Sequence, residues 1–456
     1  MYPAQKVGKA EDFVDLVITN ATVVTMNASR EVLRDAEIVI QGNRLAKVGA
    51  RSRSPKTGVR RVIDVKGAVV IPGLIHGHLH ACQTLCRNHA DGLELLEWLR
   101  ERIWPFEASH SAESMRASAD LTFYELIRSG ATAALDMGSV NHYGSVFESA
   151  KASGIRLVGG KCMMDAGQGV PARLRETTDN SINESLKLME QWHGAENDRL
   201  RYAFAPRFVL SCTEALLRRV GTLAIEKGVR IHTHASENPT ECDVVREKTG
   251  FDNVVYFGQV GLLGQHTTLA HCVWLTAEEQ KLLRETKTCV CHCPSANLKL
   301  ASGIAKVTEL MEQKINVALG ADGAACNNNL DAWVEMRLAA LLHKPRTGPT
   351  SMSAMTVLEM ATLNGARALG LEGDVGSLEE GKKADLAVVD LSDARATPNA
   401  DDVVSTLVYS GQSTDVRDVI IDGREVMRNR TVLTMRGAEV KAYARTHAKR
   451  MLADIE

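Results

Sequence analysis

The chain is predicted to be an α/β protein, a (β/α)8 TIM-like barrel carrying a small β-sandwich built from both chain ends. Three observations predict it. Between residues 69 and 375, short apolar stretches alternate eight times with long amphipathic ones. The flanks, 1–68 and 376–430, instead show short β-type runs punctuated by Gly and Asn, and neither flank alone carries a full core. The length, 456 residues, suits a large barrel plus a smaller unit.

The N-terminal β runs are "LVITNATVVTM", "AEIVIQGNRLAKVGA" and "RRVIDVKGAVV", and matching runs return as "ADLAVVDL" (384–391) and "VRDVIIDGREVM" (416–427). The barrel strands are expected at 69–75, 132–137, 156–164, 201–206, 230–235, 267–271, 288–293 and 315–320. Amphipathic runs such as "LELLEWLRERIW", "TEALLRRVGTLAIEKG" and "AKVTELMEQK" supply helices between them. The segment 431–456 reads as a C-terminal helical piece, with its helix at 437–454.

Composition narrows the function. Hydrophobic residues make up 45% and charged residues 24%, as in an ordinary globular protein. A net charge of −2 leaves no basic footprint for nucleic acid or an anionic membrane. No apolar run reaches the roughly 18–20 residues of a membrane helix, and the opening "MYPAQKVGKAEDF" lacks the apolar core of a secretory signal. The ten cysteines include no C-x-x-C pair. Cys289, Cys291 and Cys293 fall at strand period on one face, with His292 on the other, and read as reduced packing thiols. The expected compartment is the cytoplasm.

The stretch "PGLIHGHLHACQ" (72–83) places histidines at 76, 78 and 80. On an extended strand alternate side chains share a face roughly 6.6 Å apart, so the outer pair would be about 13 Å apart. At most two can serve one ion. The strand runs toward the barrel mouth, where active sites lie, so His78 and His80 are the expected pair and His76 is placed one layer deeper. Three later strand ends add candidates: His232, His234 and Glu237 in "IHTHASEN", His271 in "LAHC", and Asp322 in "LGADGA". Histidines and acids closing four separate strands suit a catalytic metal with an open position for water.

These motifs, "PGLIHGHLH", "HTHASEN", "LAHC" and "LGADGAACNN", resemble the metal stations of the amidohydrolase superfamily. The likeness is to its mononuclear branch of adenosine-derivative deaminases, guanine deaminases and triazine hydrolases, and it runs from about residue 15 to 450. By position it implies His78, His80, His234 and Asp322 as ligands of one Zn2+, although Fe2+ accepts the same donors. It implies Glu237 and His271 as the catalytic pair, with Asp322 also catalytic. His76 stands where the family usually carries Asn or Asp, and His232 falls at a variable position, which favours a structural reading. "LRYAFAPRF" lacks the lysine that bridges two metals in binuclear relatives. The implied chemistry is attack of a metal-activated hydroxide on the ring carbon bearing an exocyclic amine. Asp322 accepts the water proton, Glu237 protonates the ring nitrogen, and His271 steadies the developing charge.

Gln83, Glu107, Arg207 and Phe208 are the expected substrate contacts. Gln offers a donor and an acceptor, Arg a fork of donors and Phe an apolar face. "GKCMMD" (160–165) and "APRFVLSCTEALL" (205–217) resemble guanine deaminases. "ADGLELLEWLRERIWPFE" (90–107) and "GADGAACNNNLDAWVEMRLAALLHK" (320–344) resemble adenosine-derivative deaminases, in which the glutamate aligned with Glu107 holds ribose hydroxyls. "APRF" replaces the His-Ala-Pro-Tyr run common in that group, and Cys326 replaces a usual serine, as in some triazine hydrolases. Trp98 and Trp104 read as core. The expected function is metal-dependent hydrolytic deamination of an aminopurine, either an adenosine-type nucleoside or guanine. A triazine-type amino- or chlorohydrolase is the alternative. A non-catalytic binding or assembly barrel predicts broken ligand stations, and all are intact. The expected partners are a small heterocyclic amine and water, with no nucleic acid or membrane, in a homo-oligomer.

Overall fold

The structure, a computed structural model, describes residues 14–52, 58–398 and 402–453. The expectation drawn from the opening "MYPAQKVGKAEDF" therefore lies outside the described residues.

Eight parallel strands form the barrel: Leu74–His80, Ala131–Met137, Arg156–Gly160, Leu200–Pro206, Arg230–Ala235, Thr267–His271, Cys289–His292 and Val317–Leu319. The eighth continues past Gly320 and Ala321 into Asp322–Gly323. Its first half pairs with the seventh strand and its second half with the first, Asp322 opposite Leu79 and Gly323 opposite His80. That pairing closes the barrel. Small interior side chains such as Ala133, Ala203, Ala205, Cys289, Cys291 and Ala318 fill its narrow centre. Their neighbours Ala134, Phe204, Val290 and Leu319 face the surrounding helices.

The helices start and stop where the sequence signals them. In Glu214–Lys227, Thr213 accepts from the Leu216 N–H at the start and Gly228 ends the helix at φ 65°. The run around Trp98 is less regular: Leu95–Trp98 leads into a π turn at Leu99–Ile103, followed by Trp104–Ala108. Pro105 lacks the N–H of a regular helical bond and crowds the preceding turn, which widens the coil. The terminal helix spans Gly437–Ala453.

As expected, the two chain ends come together in one small β unit, and among the described residues their strands join in a nine-stranded mixed sheet. One side, with Val69, Ile71, Ala387, Val389 and Ile421, packs against the barrel. The other, with Val70, Leu386, Val388 and Ile420, shares a small core with Ile18, Ile38 and Ile40. The strand expected at 69–75 is divided between the two units. Val69–Pro72 pairs with 386–389 in the mixed sheet, and the barrel strand begins at Leu74. At the bottom of the barrel, buried Arg156 bridges the units through Asp385 (2.7 and 2.9 Å) and Asp422 (3.3 Å). Removing one partner from such a knot strands a buried charge.

Candidate active site

His76, His78 and His80 do not share one face. His76 pairs with Ala134 but Leu79 pairs with Asp136, so the first strand carries one extra residue between them. This is a β-bulge, and it reverses the alternation. His76 points outward with Leu74 and Leu79 and bonds the Leu330 backbone. Gly77 and His78 both fall on the inner side. A Cβ at Gly77 would stand 2.9 Å from Ala318 Cβ and Cys291 Sγ, so only glycine fits there. The placement of His76 one layer deeper is corrected: it lies on the other side of the wall.

The inner histidines are each fixed from behind. His80 Nδ1 lies 2.8 Å from the Met137 carbonyl and His234 Nδ1 2.7 Å from the Arg207 carbonyl. His232 Nδ1 faces the Thr268 carbonyl at 3.3 Å, while its Nε2 is 2.7 Å from His78 Nδ1. A carbonyl only accepts, so each Nδ1 carries the hydrogen and His232 passes this constraint to His78. Burial holds all four rings well toward the neutral form, His80 at about 3. Three Nε2 lone pairs therefore point at one spot.

Asp322 Oδ1 stands there too, 3.2 Å from His78 Nε2 and 3.4 Å from His80 Nε2, and His80 Nε2 is 3.2 Å from His234 Nε2. Acceptors crowded this closely repel unless a cation lies among them. Buried His78 Nε2 indeed has no hydrogen-bond partner. The donor set of three imidazoles and one carboxylate fits a zinc-type divalent ion.

His271 and Glu237 flank this cluster. His271 Nε2 lies 3.5 Å from Glu237 Oε2 and 3.8 Å from Asp322 Oδ2, and its Nδ1 is 2.8 Å from Asn297 Oδ1. Burial works against the charged ring, but the facing carboxylates outweigh it and raise its pKa. Burial pushes the Glu237 carboxyl up to about 7. His271 and Asp322 sit at φ 72° and 62°. These are left-handed turns at strand ends that swing the side chains across the mouth.

Glu241 and Asn297 were not singled out from the sequence. Glu241 Oε2 accepts from the backbone N–H groups of Glu237 (2.8 Å) and Asn238 (3.4 Å), anchoring the turn that presents Glu237. "NPTE" was a readable signal for this, a capping box with Pro at the first helical position.

The cleft is also lined by Gln83, Arg207 and Phe208 and by the apolar side chains of Leu95, Trp98 and Leu99. Trp98, expected in the core, thus reaches the cleft, while Trp104 stays buried away from it. Glu107 lies behind the wall. Both its oxygens are engaged by Arg207, at 2.7 and 3.2 Å, and Gln83 Nε2 adds a bond of 3.0 Å. Burial disfavours its charge, yet Arg207 overcomes this and lowers its pKa. Cys326 donates to the Gly323 carbonyl at 3.1 Å, beside Asp322.

Residues 69–426 match the profile of the Amidohydrolase family. The chain belongs to that family. In sequence this amidohydrolase is 39% identical to a 5'-deoxyadenosine deaminase of Methanosarcina acetivorans, over 96% of this chain and 99% of the relative. It is 40% identical to a 5-methylthioadenosine/S-adenosylhomocysteine deaminase of Pelotomaculum thermopropionicum, with the same coverage of 96% and 99%. In structure it is similar to an adenosine deaminase from Xanthomonas campestris with bound zinc. The TM-score is 0.90 at 30% identity, covering 97% of this chain and 99% of the other. Among the described residues no helix is long and apolar enough to cross a membrane.

Proposed function

We propose that this amidohydrolase hydrolytically removes the exocyclic amino group of an aminopurine, using one Zn2+ held by His78, His80, His234 and Asp322. The observation that carries the reading is the convergence of three Nε2 lone pairs and a carboxylate beside a second carboxyl, Glu237, and an imidazole, His271, whose protonated form the facing carboxylates favour. A bound zinc ion would lower the pKa of water from 15.7 to about 7.

The residues then divide the proton work. Asp322, with Oδ2 toward His271, is placed to take a proton from water. Glu237, raised by burial, keeps a proton near neutrality and delivers it to the ring nitrogen beside the reacting carbon. The His271 N–H faces the side where negative charge builds on oxygen. A C–O bond forms, the C–N bond breaks, and the amino group leaves as ammonia with one proton gained from water, while the other water proton stays on the ring nitrogen. Phe208, Trp98 and the adjoining leucines provide the flat apolar surfaces a heterocycle stacks on. All ten cysteines are free and buried, which supports a reducing, cytoplasmic setting.

The test is ammonia release from guanine, 5'-deoxyadenosine, methylthioadenosine, adenosylhomocysteine and ammeline, by zinc-loaded and chelated protein, compared as kcat/KM. Zinc-dependent release from a purine supports the reading. Release from ammeline alone would make this a triazine hydrolase.

A further inference from the structure

The cleft is shut. Glu237 and Asp322 are each 4% exposed, and the space left in the cleft is about 20 Å3, room for a water molecule but not for a flat ring. What covers it is a single thin layer. From Asn88 to Ile103 the chain leaves the end of the first barrel strand, passes over the cleft and returns to the body of the barrel. Leu95, Trp98 and Leu99, one helical turn apart, line the cleft and are buried. Glu94, Glu97, Arg100 and Glu101, on the other side of the same segment, stand in water.

This layer is lightly fastened. Among the described residues, its main chain forms no hydrogen bond with any part of the protein outside 86–108. Trp98 Nε1 donates to the Ala90 carbonyl at 3.0 Å, which ties the segment to itself. Two side-chain links reach the loops that follow the seventh and eighth strands. Lys299 Nζ lies 2.5 Å from Asp91 Oδ1 and also holds the Asn328 side chain and the Ala325 carbonyl. Asn328 Nδ2 in turn donates to Asn88 Oδ1 at 2.5 Å. The side chains of Asp91 and Lys299 are 61% and 26% exposed, so water competes for their pairing. Each end has a place to bend. Asn88 and Gly92 take φ of 69° and 81°, outside the helical range. At the other end lies the π turn Leu99–Ile103, and beyond it Trp104 and Phe106 are fixed in the core.

Resting on the deaminase reading for what passes beneath it, we infer that residues 88–103 form a hinged lid, latched by Lys299 and Asn328, that lifts to admit a heterocycle and release its product. The apolar underside closes the site against water, and the weak latch keeps opening frequent. Segments with few anchoring bonds open locally long before the fold does.

Hydrogen exchange on the full-length zinc-loaded protein reads the motion. Amides of 95–103 should exchange at least about 100-fold faster than those of Leu74–His80 in the barrel wall. Lys299→Met and Asp91→Ala should each speed the lid amides about threefold or more and leave the strand unchanged. The metal gives a second reading, because an ion beneath a closed lid escapes to excess EDTA only when the lid opens. Both variants should lose zinc about threefold faster while binding as much of it as the wild type. Arg218→Ala breaks an exposed ion pair with Glu214 on the helix Glu214–Lys227 and should change neither rate. Lid amides as slow as the strand overturn the inference. So do latch variants that match the wild type or Arg218→Ala in either rate. If no purine is turned over, these rates still decide the lid, and the deaminase reading alone falls.

Discussion

The two walls of the cleft are built by opposite means. The metal-facing wall takes its side chains from strand ends and braces each ring against the main chain: Met137 for His80, Arg207 for His234, and Thr268 through His232 for His78. The other wall joins Gln83, Glu107 and Arg207 side chain to side chain, across 100 residues in the case of Glu107 and Arg207. A main-chain acceptor moves only if the barrel moves. A side-chain knot changes with one substitution. On the proposed function, the barrel backbone would hold the reacting groups and exchangeable side chains would set the choice of substrate.

That contrast breaks first at the metal. His234→Ala or Asp322→Ala should abolish both zinc retention, measured by elemental analysis, and turnover; a variant with full zinc and full rate would show the wall is misassigned. Glu237→Gln should keep its zinc and lose roughly 10²–10⁴-fold in kcat, the range of general acid–base catalysis. His232→Phe, which unties His78 without touching a ligand, should weaken zinc affinity roughly 10–100-fold in a chelator competition. Arg207→Lys sharpens the comparison, because its carbonyl still holds His234 while its fork is lost. Zinc content should stay at the wild-type level and KM for the preferred substrate should rise about tenfold, since Lys lacks the planar fork.

The smallest effect concerns Asp136, whose oxygens accept from the Ala81 N–H and the Tyr143 hydroxyl, and which burial pushes up to about 7. Its folded pKa lies above the unfolded value, so the stability it contributes is complete in acid and is lost as pH rises through about 7. Between pH 6 and 8 the Tm of the wild type should therefore fall more steeply than that of Asp136→Asn.

The clustering of His78, His80, His234 and Asp322 was legible because each sits beside a recognisable strand end, and a barrel gathers strand ends at one mouth. His232 was read as structural; the structure makes it the link that fixes the His78 tautomer. His76 was misplaced because alternation alone cannot register an extra residue, although an isolated glycine inside a strand pattern is the usual sign of one. The Arg207–Glu107 pair was hidden for a different reason. Nothing local marks two opposite charges far apart in sequence as partners, so Glu107 read as a free substrate contact. The flanking β runs were recognised as strands, but hydrogen-bonding order, which makes them one sheet, depends on pairings that periodicity does not encode.

The bulge at Gly77 and His78 also bears on redesign. A His-x-His pair is read in a frame, as codons are, and here the frame is set one residue upstream of His78. Copying His78 and His80 onto a regularly alternating barrel strand in the frame of Ile75 would send both out of the lumen. A transplant has to carry the extra residue and the small neighbours, Ala318 and Cys291, that make room for it. The portable unit of this site is a stretch of irregular backbone, and the ligands come along with it.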